Sequence, residues 1–130
     1  MPDGMDFKAE VERLFALFDG GRVEELKEMF AADAQGVDEI SRKWMRGRAA
    51  MDSYFTQLAA MGVADTRSVL SDLAVTRWGD TALVTAVVDQ SYSIGGKPVT
   101  IKAPGSFLFR RADGKWAVEL VHVVPLPEAG

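Results

Sequence analysis

Along residues 7–18 the apolar positions Phe7, Val11, Leu14, Phe15 and Phe18 recur at helical spacing, with Lys8, Glu10, Glu12 and Arg13 mostly opposite them. The pattern predicts a helix that buries an aromatic stripe and stops at Gly20-Gly21. Val23, Leu26, Met29 and Phe30 mark a second amphipathic segment that ends near Ala32, with Glu24 and Glu25 at the positive end of its dipole. Residues 35–40 and 43–46 are short and mixed, and read as irregular strand pieces around a turn. Gly47 then opens a third helix, with Met51, Tyr54, Phe55, Leu58 and Met61 on its apolar face and Gly62 as its stop.

From Arg67 the period changes to two. Residues 68–78, 81–94, 99–111 and 116–124 are rich in β-branched and aromatic residues and are separated by G-D, G-G-K and A-D-G-K turn signals, which predicts an antiparallel meander. Strands this long must twist, and Pro104-Gly105 is expected to mark a bulge or bend. The expected fold class is therefore α+β: three N-terminal helices packed on a strongly curved, mostly antiparallel sheet. That arrangement is a cone-shaped α+β barrel whose wide end leaves a hollow. The run at 82–88 is apolar on both faces, so the face without helices needs a second layer, and a homodimer through the sheet is the economical one. Residues 1–130 make one domain with its core at about 7–124, and 125–130 form a short tail.

Composition narrows the function. The chain has no cysteine, which excludes disulfides, thiolate metal sites, a cysteine nucleophile and redox chemistry by the chain itself, and suits a reducing compartment. The first residues carry acid where a secretory signal needs base, and no apolar run approaches a bilayer span, so a cytoplasmic protein without membrane partners is expected. A net charge of -4 argues against nucleic acid. One histidine and scattered acids give no metal-ligand spacing, and neither a nucleophile elbow nor a phosphate-cradling glycine loop occurs, so no metal or cofactor is expected.

The order helix, G-G, helix, F-A-A-D-A, short strands, W-M-R-G-R, helix, then a meander ending in A-D-G-K-W-A-V-E-L-V-H resembles the nuclear transport factor 2-like superfamily, in particular its SnoaL-like bacterial members. The resemblance spans roughly residues 7–124 and rests on order and spacing rather than on any one motif. It implies a cone-like α+β fold, usually dimeric, with a pocket under the helices. The superfamily holds steroid isomerases, cyclases, hydrolases, dehydratases and non-catalytic association domains, so membership alone names no reaction. Counting from Phe30, the resemblance puts Asp38 where steroid isomerases carry their base. It puts Leu14 and about Gly105 where they carry oxyanion donors, which argues against steroid isomerisation.

Asp38 is thus the candidate general base, because an acid in an apolar hollow is partly desolvated and suited to proton transfer. It reads equally well as a turn acid bonding the backbone, with Glu39 pointing the other way. His122, in an otherwise apolar strand, is a second catalytic candidate, or else a core or interface histidine; Glu119 is expected on the face opposite to it. Trp44, Tyr54 and Tyr92 are expected to wall a pocket for a small apolar or aromatic molecule, with Phe15, Phe55 and Phe107 completing it. Arg42, Lys43, Arg46 and Arg48 read as a solvated rim. The expected function is a small-molecule pocket with isomerase-, cyclase- or dehydratase-type proton transfer through Asp38. Its rival is a non-catalytic binding or dimerisation domain whose hollow is filled by its own side chains.

Overall fold

The computed structural model describes residues 4–127; the end of the expected tail, 128–130, lies outside the described residues. Three helices, α1 (Phe7–Asp19), α2 (Val23–Glu28) and α3 (Gly47–Ala60), pack on one face of a six-stranded sheet. Its strands are β1 (Phe30–Asp38), β2 (Met45–Arg46), β3 (Val63–Trp78), β4 (Thr81–Ile94), β5 (Lys97–Ala112) and β6 (Lys115–Val123). The first helix begins and ends where the sequence requires. Asp6 caps α1 by accepting from the Ala9 N–H at 3.1 Å. Gly21 at φ +69° closes it, with Gly21 donating to the Phe18 carbonyl and Arg22 to that of Leu17. The second helix, expected to carry Phe30 on its apolar face and to end near Ala32, stops at Glu28 after six residues, and Phe30 instead begins β1.

The strand order is β2-β1-β6-β5-β4-β3, with β1 and β6 parallel and every other neighbouring pair antiparallel. The expected cone-shaped barrel is therefore corrected: the sheet is mixed and open, and it is not strongly curved. Closure would need a ladder between β2 and β3, the two edges, and β2 offers only Met45 and Arg46, both already paired to β1. β3 slips twice against β4, between Ala64 and Arg67 and between Ser71 and Ala74, with Asp65 and Asp72 at positive φ inside the slips. A third slip sets Glu119 as an extra residue of β6.

Pro104-Gly105 is not one of these irregularities: both residues stay in continuous register with β4. Pro104 lies one residue beyond the last β5–β6 pair, Gly105 with Val123, so on that side the ladder asks no N–H of it. Gly105 is there for space. A Cβ on it would meet the Phe107 ring at 3.1 Å and a Val88 methyl at 3.2 Å.

Alternation in β4 sends Ala82, Val84, Ala86 and Val88 into the core under α1, where they meet Val11, Leu14 and the Phe15–Phe107 edge-to-face pair. A smaller cluster of Ile40, Tyr54, Leu58 and Tyr92 lies at the other end of the helical layer. Between these two clusters the packing leaves a gap.

Candidate functional site

The gap is a cavity of about 110 Å³. Leu14 and Phe15 of α1, Met51 and Phe55 of α3, and Val121 and Val123 of β6 give it apolar walls, and Asp38, Glu39, Tyr54, Gln35 and Gln90 are its polar lining. The two carboxyls reach the cavity because β1 stops at Asp38 and the chain turns, the Arg42 N–H donating to the Asp38 carbonyl at 3.1 Å with Arg42 at φ +57°. Asp38 Oδ1 accepts from the backbone N–H groups of Ile40 (2.9 Å) and Ser41 (2.8 Å), which fixes that turn. Its Oδ2 accepts the hydroxyl of Tyr54, delivered from the inner face of α3. Asp38 is thus both the turn acid and a cavity residue.

Glu39 was expected to face away. The turn cancels strand alternation at this point, so Glu39 lines the same cavity as Asp38. The Tyr92 hydroxyl donates to Glu39 Oε1 at 3.2 Å. Oε2 is enclosed by protein atoms, and among the described residues it is the buried side-chain oxygen or nitrogen left without a partner. Each carboxyl therefore has its own tyrosine. Burial and the charge of Asp38 raise the Glu39 carboxyl above the usual range. The Tyr54 phenol is pushed well up, first by burial and then by Asp38, so it remains a donor; that of Tyr92 is pushed up to about 12 by burial and Glu39.

Of the expected wall residues, Tyr54, Phe55 and Phe15 border the cavity. Tyr92 reaches its rim only through Glu39, and Phe107 is fully buried behind Phe15. His122 and Trp44 are elsewhere. Val121 and Val123 face the cavity, so His122 between them faces away, and its ring lies 6.2 Å from that of Trp44. The extra residue in β6 also places Glu119 outward, where it pairs with Arg110 at 3.0 Å, so His122 and Glu119 share a face that alternation alone would have separated. Of the expected rim cations, Arg46 bonds Gln35 at 2.9 Å and lies 5.8 Å from the centre of the Trp44 ring, outside the cavity.

The match to known families is with the SnoaL-like domain, over residues 11–119. The chain belongs to this family. No curated protein matches it. Among solved structures, this SnoaL-like domain superposes on a Xanthomonas campestris protein assigned as a calcium/calmodulin-dependent protein kinase II association domain (TM-score 0.81, 19% identity, 99% of this chain and 94% of the other). It also superposes on a ketosteroid isomerase-like protein from Erwinia carotovora atroseptica (0.77, 14%, 93% and 94%). A third is an NTF2-like protein with a cystatin-like fold from Novosphingobium aromaticivorans (0.69, 23%, 94% and 83%). At these identities the likeness is one of fold.

One further chain of bonds reaches the cavity of this SnoaL-like domain. Asp19, at the end of α1, accepts from both the backbone N–H and the hydroxyl of Ser68, each at 2.8 Å. The Ser68 oxygen accepts from Gln90 Nε2 at 3.0 Å, which fixes the orientation of the cavity-lining amide. Burial raises the Asp19 carboxyl, and the two bonds from Ser68 pull the other way. Nothing in the sequence pattern linked positions 19, 68 and 90. Among the described residues no group of three or more His, Cys, Asp or Glu is placed to hold a metal, and no helix is long and apolar enough to cross a membrane.

Proposed function

We propose that this domain binds one small, mainly apolar organic molecule in the cavity and moves a proton on it, with Asp38 as the base. The observation that carries the reading is a carboxylate held by three hydrogen bonds at the wall of a mainly apolar cavity. Asp38 takes a proton from a C–H bond, the bonding pair passes into the ligand's π system, and the same carboxyl returns the proton at another carbon, so the isomerisation balances without a co-reactant. Tyr54 supports this by donating to Oδ2 throughout. At about 110 Å³ the cavity is smaller than the about 150 Å³ that holds benzene, which limits an enclosed ligand to a small molecule. The absence of cysteine is consistent with a cytoplasmic location.

The test is native mass spectrometry of protein from its own host, followed by Asp38→Asn. A small molecule should copurify, and the variant should bind it while losing turnover by about 10²-fold or more; turnover retained in the variant removes the proposed base. A second reading, a non-catalytic association domain forming a homodimer through the sheet, is supported by the 43%-exposed Trp44 beside His122 on the face away from the cavity. Sedimentation velocity decides it: a monomer at micromolar concentration eliminates the dimer.

A further inference from the structure

The carboxyl and amide oxygens of the cavity lining already hold a donor or are enclosed, with one exception. Asp38 Oδ1 takes two turn amides and Oδ2 the Tyr54 hydroxyl. Glu39 Oε1 takes Tyr92 and Oε2 is enclosed by protein, while Gln35 Oε1 takes Arg46 outside the cavity. The exception is Gln90 Oε1: among the described residues no donor reaches it, and unlike Glu39 Oε2 it is not enclosed. Gln90 continues the inward row of β4 two residues after the fully buried Val88, so its amide lies under the helices, where it lines the cavity.

The groups behind Gln90 decide which end of the amide meets the cavity. Ser68 of β3 is its cross-strand neighbour. Half-buried Asp19 receives both the N–H and the hydroxyl of Ser68 at 2.8 Å, so at neutral pH it acts as an acceptor alone. The one hydroxyl proton of Ser68 is thereby committed to Asp19, and toward Gln90 the Ser68 oxygen can only accept. The amide must therefore turn its NH₂ to Ser68 and its carbonyl the other way. Asp19 is the last residue of α1, at the negative end of the helix dipole, so α1 itself gains nothing from a carboxylate there.

We propose that Gln90 presents its carbonyl oxygen to the cavity and accepts a hydrogen bond from the ligand, which makes that ligand a small molecule with a hydroxyl group on an apolar body. Asp19 and Ser68 are positioning residues that hold the amide in this sense. A neutral hydroxyl enters between apolar walls at far less cost than an ammonium, whose charge would have to be desolvated. The inference rests on the cavity reading above and adds the chemical class of the ligand.

The experiment compares cyclobutanol with cyclobutanone, which share a ring and differ in one functional group, by NMR titration of wild type, Gln90→Leu and Ser68→Ala. Loss of one buried hydrogen bond should lower the ratio of alcohol to ketone affinity about tenfold in Gln90→Leu. Ser68→Ala leaves Gln90 in place but frees its amide to turn the NH₂ to the cavity, so the ketone should bind this variant more tightly than wild type. A merely structural loosening would weaken both probes alike. An unchanged ratio in Gln90→Leu overturns the role of Gln90 and leaves the cavity reading standing. A ketone affinity that does not rise in Ser68→Ala overturns the orientation assigned to the amide. Preference of wild type for cyclobutylamine over cyclobutanol overturns the assignment of a neutral hydroxyl. Failure of wild type to bind either the alcohol or the ketone overturns the cavity reading and the proposal together.

Discussion

Replacing Tyr54 by phenylalanine isolates one hydrogen bond in the cavity. The ring of Tyr54 is buried against Ile40 and Leu58 and meets Phe55 edge-on at 5.4 Å, and phenylalanine keeps those contacts. What disappears is the donor to Asp38 Oδ2, while Oδ1 keeps its two backbone donors. A buried bond to a charged acceptor is worth about 1.5–3 kcal/mol, against about 0.5–1.5 kcal/mol for a neutral pair. Tyr92→Phe removes only the longer bond to Glu39, a carboxyl that burial moves toward its neutral form. Tyr54→Phe should therefore cost about 1.5–3 kcal/mol in urea unfolding and Tyr92→Phe about half as much or less. For a chain of 130 residues the first corresponds to roughly 5–10 °C in Tm. Combining Tyr54→Phe with Asp38→Asn should cost less than the sum of the two, because the residues share the bond that is lost. Equal losses for the two tyrosines, or strict additivity of Tyr54→Phe with Asp38→Asn, would refute the assignment of Asp38 as the charged member of the pair.

Gly105→Ala should lose about 1–3 kcal/mol of stability in the same assay, since its methyl would press on the Phe107 ring and Val88 from 3.1 and 3.2 Å; a neutral effect would show that the core yields there. Glu39→Gln should change the pH dependence of stability. The folded-state pKa of Glu39 is raised above its ordinary value of 4.5, so its contribution is fully present below that value and is lost as pH rises through the folded pKa. The amide cannot incur that loss, so the variant should gain on wild type at neutral pH and lose the advantage in acid, read from unfolding midpoints across the range. A variant that is less stable than wild type at neutral pH would mean that Glu39 is ionised and satisfied.

The two hydrophobic periods carried most of the fold. Three two-residue hairpin turns, Gly79-Asp80, Gly95-Gly96 and Asp113-Gly114, lie where the turn signals put them, and the four long strands differ from the pattern mainly at their ends. Phe30 misled because its spacing continues the α2 stripe, while β1 is chosen by non-local pairing: the Val118 N–H donates to the Met29 carbonyl and Phe30 aligns with Val118. Periodicity has no access to such pairing. Sheet shape was misjudged for a related reason, since strand length is visible in sequence but the parallel β1–β6 pairing and the unpaired edges β2 and β3 are not. Asp38 was legible through the resemblance, and Tyr54 through its place on the apolar face of α3. Glu39 and the outward His122 were not: one depends on where a strand stops, the other on an extra residue in β6.

Where β1 stops also sets the chemistry. Had the strand continued one residue further, alternation would have carried Glu39 to the opposite face and left a lone acid in the cavity. Because the chain turns at Asp38, two carboxyls enter one apolar space, and two like charges there without a cation between them are expensive. The donors decide which carboxyl carries charge: two turn amides and a phenol meet Asp38, whereas Glu39 keeps an oxygen that no donor reaches. The different bonding of the two neighbouring carboxyls thus follows from where the backbone turns. Ser41→Ala, which removes the hydroxyl accepting from the Asp38 N–H at 3.0 Å, should loosen that turn and lower stability by about 0.5–1.5 kcal/mol in urea unfolding; an unchanged midpoint would show that the turn does not need the hydroxyl.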